Sequence, residues 1–143
     1  MTKYPVYKPF LCGNEKKYVN DCLDSSWISS KGKYIDLFKE SFKDFLKVNN
    51  ATPVSNGTVA LHLAMLALDI KEGDEVIVST LTYIASVNAI KYVNATPIFV
   101  DCNSSSWNID ADKIEQKISS KTKAIMAVHL YGASCDMDKL LNI

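Results

Sequence analysis

Metal ligands and paired cysteines are scarce in this sequence. It contains two histidines and four cysteines among 143 residues. The cysteines are scattered, without the short paired spacing that zinc sites and redox motifs use, at Cys12, Cys22, Cys102 and Cys135. The sequence therefore predicts no metal site and no disulfide framework.

The sequence also lacks an excess of charge and a long apolar run. Its 16 basic side chains are balanced by 16 acidic ones, so no net field attracts nucleic acid or anionic lipid. No stretch approaches the roughly 20 apolar residues of a membrane span, and residues 1–6 do not resemble the apolar part of a secretion signal. We therefore expect a cytoplasmic protein with neither a nucleic-acid nor a membrane partner.

What is present suits a globular chain, with 48% apolar and 22% charged residues. Residues 1–50 read as a helical segment without strands. One helix is predicted over 14–24, and a second begins at Lys33 with aromatic residues every three or four positions on one face. A serine-rich stretch, 25–32, is expected to form the loop between them.

Residues 51–143 change to a pattern of alternating strands and helices. Strands are predicted over 51–55, 75–79, 96–101 and 123–130, with helices over 58–68, 83–93 and 110–118 and another starting at Asp136. This alternation predicts an α/β fold with a mainly parallel sheet, and the continuously apolar strands predict helices on both faces. The last helix is short, so we expect 51–143 to be the first part of a larger, truncated domain.

Ligands of open α/β sheets bind beyond the carboxyl ends of the strands, where the first turn is Ser55-Asn56-Gly57-Thr58. Free N–H groups at a helix start, a glycine and the Thr58 hydroxyl together suit an anion such as phosphate. The alternative is simple N-capping by Ser55 or Asn56. The turn matches neither the dinucleotide fingerprint nor the P-loop.

Two later turns offer further candidates. Tyr83 is placed to stack on a planar ligand, although a packed surface ring is the alternative. His129 follows the fourth predicted strand and is a candidate for proton transfer or ligand contact. Asp110 is expected to be a plain N-cap.

Seven segments in this order resemble the amino-terminal part of the DegT/DnrJ/EryC1/StrS family of sugar aminotransferases. They are Trp27-Ile28-Ser29-Ser30-Lys31-Gly32, Ser55-Asn56-Gly57-Thr58-Val59-Ala60-Leu61, Gly73-Asp74-Glu75-Val76-Ile77-Val78, Thr82-Tyr83-Ile84-Ala85-Ser86-Val87-Asn88-Ala89-Ile90, Pro97-Ile98-Phe99-Val100-Asp101, Asn108-Ile109-Asp110 and Val128-His129-Leu130-Tyr131-Gly132. Each segment alone is a weak signal, but the ordered series covers nearly the whole chain.

The resemblance implies a fold-type-I enzyme that uses pyridoxal 5'-phosphate (PLP) and acts as a homodimer. Residues 1–50 would be its N-terminal helical segment, and 51–143 the first part of its PLP-binding large domain. Gly57 and Thr58 would hold the cofactor phosphate, and Tyr83 would stack on the pyridine ring. The residues that it suggests for substrate binding are Trp27, Ser29, Lys31 and His129.

The implied reaction transfers an amino group from glutamate, through the cofactor, to the keto carbon of a nucleotide-linked sugar. Several segments are most similar to perosamine synthases of this family, which aminate a GDP-4-keto-6-deoxy sugar for polysaccharide biosynthesis. The Schiff-base lysine and the acid that pairs with the pyridine nitrogen are expected downstream, because no lysine here has an apolar strand-end context. We therefore expect no catalytic residue in this chain and an inactive chain when it is alone.

A non-catalytic reading also accounts for the missing lysine. In it, the chain is an α/β module that binds a phosphorylated ligand or a complementary subunit.

Overall fold

The computed structural model describes Pro5 and residues 7–143, which divide into two compact units, Met1–Pro53 and Val54–Ile143. Most of residues 1–6, on which the expectation about a secretion signal rests, lie outside the described part. No helix in that part is long and apolar enough to cross a membrane.

The first unit contains two helices, α1 (Glu15–Asp24) and α2 (Lys33–Leu46), as predicted. The two are tied by an ion pair between Asp21 and Lys33 and by the rings of Tyr18 and Tyr34, whose centroids are 4.9 Å apart. Residues 25–32 form the expected loop between them.

The second unit is built of alternating elements around a parallel sheet. Its helices and strands are α3 (Gly57–Ala67), β1 (Glu75–Ser79), α4 (Ile84–Tyr92), β2 (Thr96–Val100), β3 (Thr122–Met126) and α5 (Met137–Leu141). The strand order is β2-β1-β3, and Ile77 of the central strand lies opposite Ile98 and Ile125. The predicted α/β class and the parallel sheet are confirmed.

Both faces of the sheet are covered, because successive side chains of a strand point to opposite faces. Val76 and Val78 pack in one apolar cluster with Ile90 of α4. Ile77, between them in sequence, belongs to a second cluster with Ile114 and Leu140 of α5. The prediction of helices on both faces is confirmed, and the second face is covered by short 3-10 turns as well as by α5.

The structure differs from the predicted elements in three places. Residues 51–55 form no strand, because Pro53 lacks the N–H of a ladder and no described strand lies beside them. Residues 110–118 form two 3-10 turns, Ala111–Lys113 and Glu115–Lys117, rather than one α-helix. β3 ends at Met126, and Leu130 instead begins the 3-10 turn Leu130–Gly132.

Candidate functional site

The start of α3 presents unused hydrogen-bond donors. The Asn56 side chain accepts from the Val59 N–H at 3.0 Å, and its carbonyl accepts from the Ala60 N–H at 3.1 Å. The N–H groups of Gly57 and Thr58 have no acceptor among the described residues. Asn56 therefore caps the helix, as the N-capping alternative predicts, and two N–H groups remain for an anion.

Glycine at position 57 leaves the approach to these donors open. A Cβ atom built on Gly57 would meet nothing within 4 Å. The Gly57 backbone is exposed, and the neighbouring Thr58 is partly buried with a hydroxyl in the same turn. The turn can thus bring an anion's oxygens against backbone N–H groups and a hydroxyl at once.

Tyr83 lies beside this turn. An open groove of about 580 Å³ is lined by Gly57, Thr58, Ala60, Leu61, Tyr83, Ala85 and Ser86. Tyr83 is 75% exposed, which shows that its ring is not packed into the protein. The structure therefore brings the three predicted cofactor contacts, Gly57, Thr58 and Tyr83, together around one groove.

The loop that carries Tyr83 is held by two hydroxyl groups. Tyr83 is the residue before α4, in an extended conformation with φ −67° and ψ 139°. On either side of it, Thr82 Oγ1 and Ser86 Oγ lie 2.9 Å apart, and Ser86 is 4% exposed. This hydrogen bond closes the turn in which Tyr83 stands.

The sheet topology at this loop is typical of ligand-binding α/β sheets. α4, which follows β1, packs on one face of the sheet, and α5, which follows the adjacent β3, packs on the other. The chain thus leaves two neighbouring strands toward opposite faces, an arrangement that favours ligand binding at their carboxyl ends. The loop with Tyr83 follows β1, and the loop with His129 follows β3.

His129 lies in the loop after β3 and does not line the groove of Tyr83. Its Nδ1 atom accepts a hydrogen bond of 3.0 Å from the backbone N–H of Cys135, and the residue is exposed. Cys135 is buried, and burial raises the pKa of its thiol, whose sulfur donates to the Val128 carbonyl at 3.2 Å. Its thiolate is therefore not available at neutral pH.

The three other predicted substrate contacts lie in the first unit, on the loop between α1 and α2. Trp27, Ser29 and Lys31 line one cavity of about 510 Å³, which Gly32 and Tyr34 also line. Within the loop, the Lys31 N–H donates to Ser29 Oγ at 3.2 Å. Trp27 is 58% exposed, so its indole is accessible.

Sequence reasoning missed Asn108 and Ser86 as members of this edge of the sheet. The Asn108 side chain is 3% exposed and bonds to residues 22 to 26 positions further along the chain. Only its place in the family-like segment Asn108-Ile109-Asp110 marked it. Ser86 was marked in the same way, within the segment that contains Tyr83.

Comparison with known proteins identifies relatives over most of the chain. The sequence profile of the DegT/DnrJ/EryC1/StrS aminotransferase family matches residues 11–143. A GDP-perosamine synthase of Escherichia coli O157:H7 is 64% identical over 143 residues, which are 100% of this chain and 39% of that protein. A GDP-perosamine synthase of Vibrio cholerae is 57% identical over 139 residues, or 97% of this chain and 38% of that protein.

A solved structure agrees with these matches. NtdA from Bacillus subtilis, solved with bound cofactor PMP, superposes with a TM-score of 0.83 at 32% sequence identity. The superposition covers 89% of this chain and 30% of NtdA. The chain therefore spans well under half the length of the relatives and of the structure that it matches.

Proposed function

The chain belongs to the DegT/DnrJ/EryC1/StrS aminotransferase family, and we propose that it is part of a PLP-dependent sugar aminotransferase. The proposed reaction moves an amino group from glutamate to the keto carbon of a GDP-linked 4-keto-6-deoxy sugar. The relatives named GDP-perosamine synthase, at 64% and 57% identity, support this substrate class. The product would be an aminosugar nucleotide for polysaccharide biosynthesis.

One observation carries the cofactor assignment. The two free N–H groups at the start of α3 and the exposed Tyr83 ring line the same groove. A phosphate and an aromatic ring are the two recognition features of PLP, and the groove offers a partner for each. The residues present therefore fit the cofactor.

The proposed roles follow from this arrangement. Gly57 and Thr58 bind the phosphate through their N–H groups and the Thr58 hydroxyl, and Tyr83 stacks on the pyridine ring. When bound, PLP supplies the electron sink for the transfer, while the protein orients the substrate. The hydrogen bond between Thr82 and Ser86 holds Tyr83 at the groove.

Within the first unit, the proposed contacts with the nucleotide sugar are Trp27, Ser29 and Lys31. In the second unit, His129 is a separate proposed substrate contact. Trp27 offers an exposed aromatic face, Ser29 a hydroxyl and Lys31 a positive charge. These side chains suit the base, the hydroxyls and the diphosphate of a nucleotide sugar.

The remaining parts of the enzyme are proposed from the family resemblance. The Schiff-base lysine and the acid that pairs with the pyridine nitrogen lie in the portion of the relatives that this chain does not cover. Residues 1–50 form the N-terminal helical segment, and 51–143 the first part of the large domain; the unit boundary after Pro53 supports this division. The active form is a homodimer in the cytoplasm.

An amination assay tests the function. The protein in its natural length is supplied with PLP, glutamate and either a GDP-linked or a dTDP-linked 4-keto-6-deoxy sugar. We expect 2-oxoglutarate to form with the GDP-linked sugar and at a much lower rate with the dTDP-linked one. Reversible PLP binding without turnover of either sugar would contradict the proposal and favour a non-catalytic module.

A further inference from the structure

The loop after β3 has an unusual backbone that needs support. Tyr131 has φ 51° and Gly132 has φ 88°, so two consecutive residues take up the left-handed region. Such a conformation costs energy at a tyrosine, and it persists only where the surroundings fix it. Within the loop, Tyr131 is 83% exposed and His129 is exposed as well.

The buried side chain of Asn108 supplies this support through hydrogen bonds to the loop backbone. Its Oδ1 atom accepts from the Leu130 N–H at 3.1 Å. Its Nδ2 atom donates to the Ala133 carbonyl at 3.0 Å and to the Ser134 carbonyl at 2.9 Å. One buried carboxamide therefore joins the two ends of the turn Leu130–Gly132.

The same loop fixes the His129 ring. Because Nδ1 accepts from the Cys135 N–H at 3.0 Å, that nitrogen carries no proton, and the proton of the neutral ring must be on Nε2. Cys135 directly follows the carbonyls that Asn108 holds. His129 consequently presents an Nε2–H donor from an exposed position at the carboxyl edge of the sheet.

We propose that Asn108 is a positioning residue that locks the 129–135 loop so that His129 donates a hydrogen bond from Nε2 to an acceptor oxygen of the bound substrate. His129 then acts as a neutral donor and not as a base. The contact with the substrate rests on the proposed function, whereas the loop conformation and the state of the His129 ring rest on the hydrogen bonds alone.

NMR of the unaltered protein in its natural length tests whether Nε2 of His129 carries the ring proton. With histidine and backbone nitrogen labelled, we expect a scalar coupling across the hydrogen bond between the Cys135 amide nitrogen and His129 Nδ1. We also expect the ring proton on Nε2, with the His129 signal assigned by its loss in H129Q. A proton on Nδ1, or no coupling, would overturn the proposal. This measurement requires neither cofactor nor turnover, so it is independent of the proposed function.

Two asparagine variants test the role of Asn108. N108D retains the acceptor for Leu130 and removes both donors, and we expect faster hydrogen exchange in peptides covering 129–135 with no change in β1. N103D is the matched control. Among the described residues the Asn103 side chain uses only its acceptor, Oδ1, which binds the N–H groups of Ser105 and Ser106, and an aspartate keeps that acceptor. N108S, which retains a hydroxyl donor, replaces N108D if that variant does not fold. Equal exchange in N108D and N103D would contradict the positioning role.

Kinetics test the link to the substrate. H129F removes the donor and H129Q restores an N–H near the same position, so we expect KM to rise several-fold, up to about tenfold, in H129F and to recover in H129Q. N108D should raise KM in the same direction, and N108D with H129F should be no worse than H129F alone. The KM values for the sugar and for glutamate identify which substrate holds the oxygen. Additive effects of N108D and H129F, or unchanged KM values for both the sugar and glutamate, would show that His129 does not bind the substrate in this way.

Discussion

At the scale of single residues, the start of α3 separates a structural role from a binding role. Asn56 satisfies the Val59 N–H, whereas Gly57 and Thr58 leave theirs free. The two interpretations of this turn, capping and anion binding, are therefore compatible, because different residues would perform them. Sequence spacing could not show this, since it does not reveal which N–H group the cap occupies.

The capping role of Asn56 predicts a loss of stability on truncation. N56A removes the acceptor for Val59 and should lower the free energy of unfolding by about 1 kcal/mol, measured by urea denaturation. S55A is the control, because Ser55 Oγ accepts only from the Asn56 side chain, at 3.3 Å on the surface. Equal losses in the two variants would show that Asn56 is not the cap.

We expect the thiol of Cys135 to be alkylated more slowly than that of the exposed Cys12. The Cys135 side chain is 5% exposed, and burial raises its pKa, so its reactive thiolate forms only at a pH above the usual range for cysteine. Alkylation by iodoacetamide, followed by peptide mass spectrometry, should label exposed Cys12 first at pH 8 and should reach Cys135 faster as the pH rises. Labelling of Cys135 as fast as Cys12 in the folded protein would contradict this burial.

At the scale of elements, the sequence predicts correctly the strand with a strong apolar pattern of its own. It predicts wrongly a segment whose structure depends on a neighbouring strand. β1 has its predicted bounds because Val76, Ile77 and Val78 form a continuous apolar run that is buried on both faces. Residues 51–55 have no such run, since Thr52 and Pro53 separate Ala51 from Val54, and Pro53 and the lack of a described neighbouring strand leave them unpaired. Apolar sequence alone does not contain the information about a strand's partner.

The two 3-10 turns illustrate the same limit. Asp110 caps the segment as expected, by accepting from the Asp112 N–H. Beyond it, Ile114 is the only buried residue between 111 and 118. One buried side chain cannot enforce the 3.6-residue period of an α-helix, so the segment closes in tighter turns.

Because β1 is the central strand, we expect truncation of its buried side chains to destabilise the second unit strongly. I77A removes a fully buried side chain from the cluster of Ile114 and Leu140 and should lower the free energy of unfolding by about 2–5 kcal/mol. I84A is the matched control, because Ile84 is 60% exposed at the start of α4, and it should cost less than about 1 kcal/mol. Similar losses in both variants, measured by urea denaturation, would contradict the placement of β1 in the core.

At the scale of the whole molecule, the chain exposes more large apolar side chains than a monomer usually does. Phe38, Phe45, Leu63 and Leu66 are each between 43% and 80% exposed. The portion of the relatives that this chain does not cover would bury part of such surface, and a second copy in the proposed homodimer would bury another part. Light scattering of the protein in its natural length should report a dimer, and a well-behaved monomer at micromolar concentration would contradict the proposal.

The central claim is that Gly57, Thr58 and Tyr83 hold PLP, and a PLP titration of the cofactor-free protein tests it most directly. T58V removes the hydroxyl that we propose binds the phosphate and should raise the Kd for PLP about tenfold or more, since hydrogen bonds to charged groups are the stronger ones. T80V is the matched control, because the Thr80 hydroxyl donates to Asp101 at 3.3 Å and does not line the groove. The account predicts that inorganic phosphate competes with PLP and that only T58V weakens binding; an unchanged Kd in T58V, or an equal loss in T80V, would contradict it.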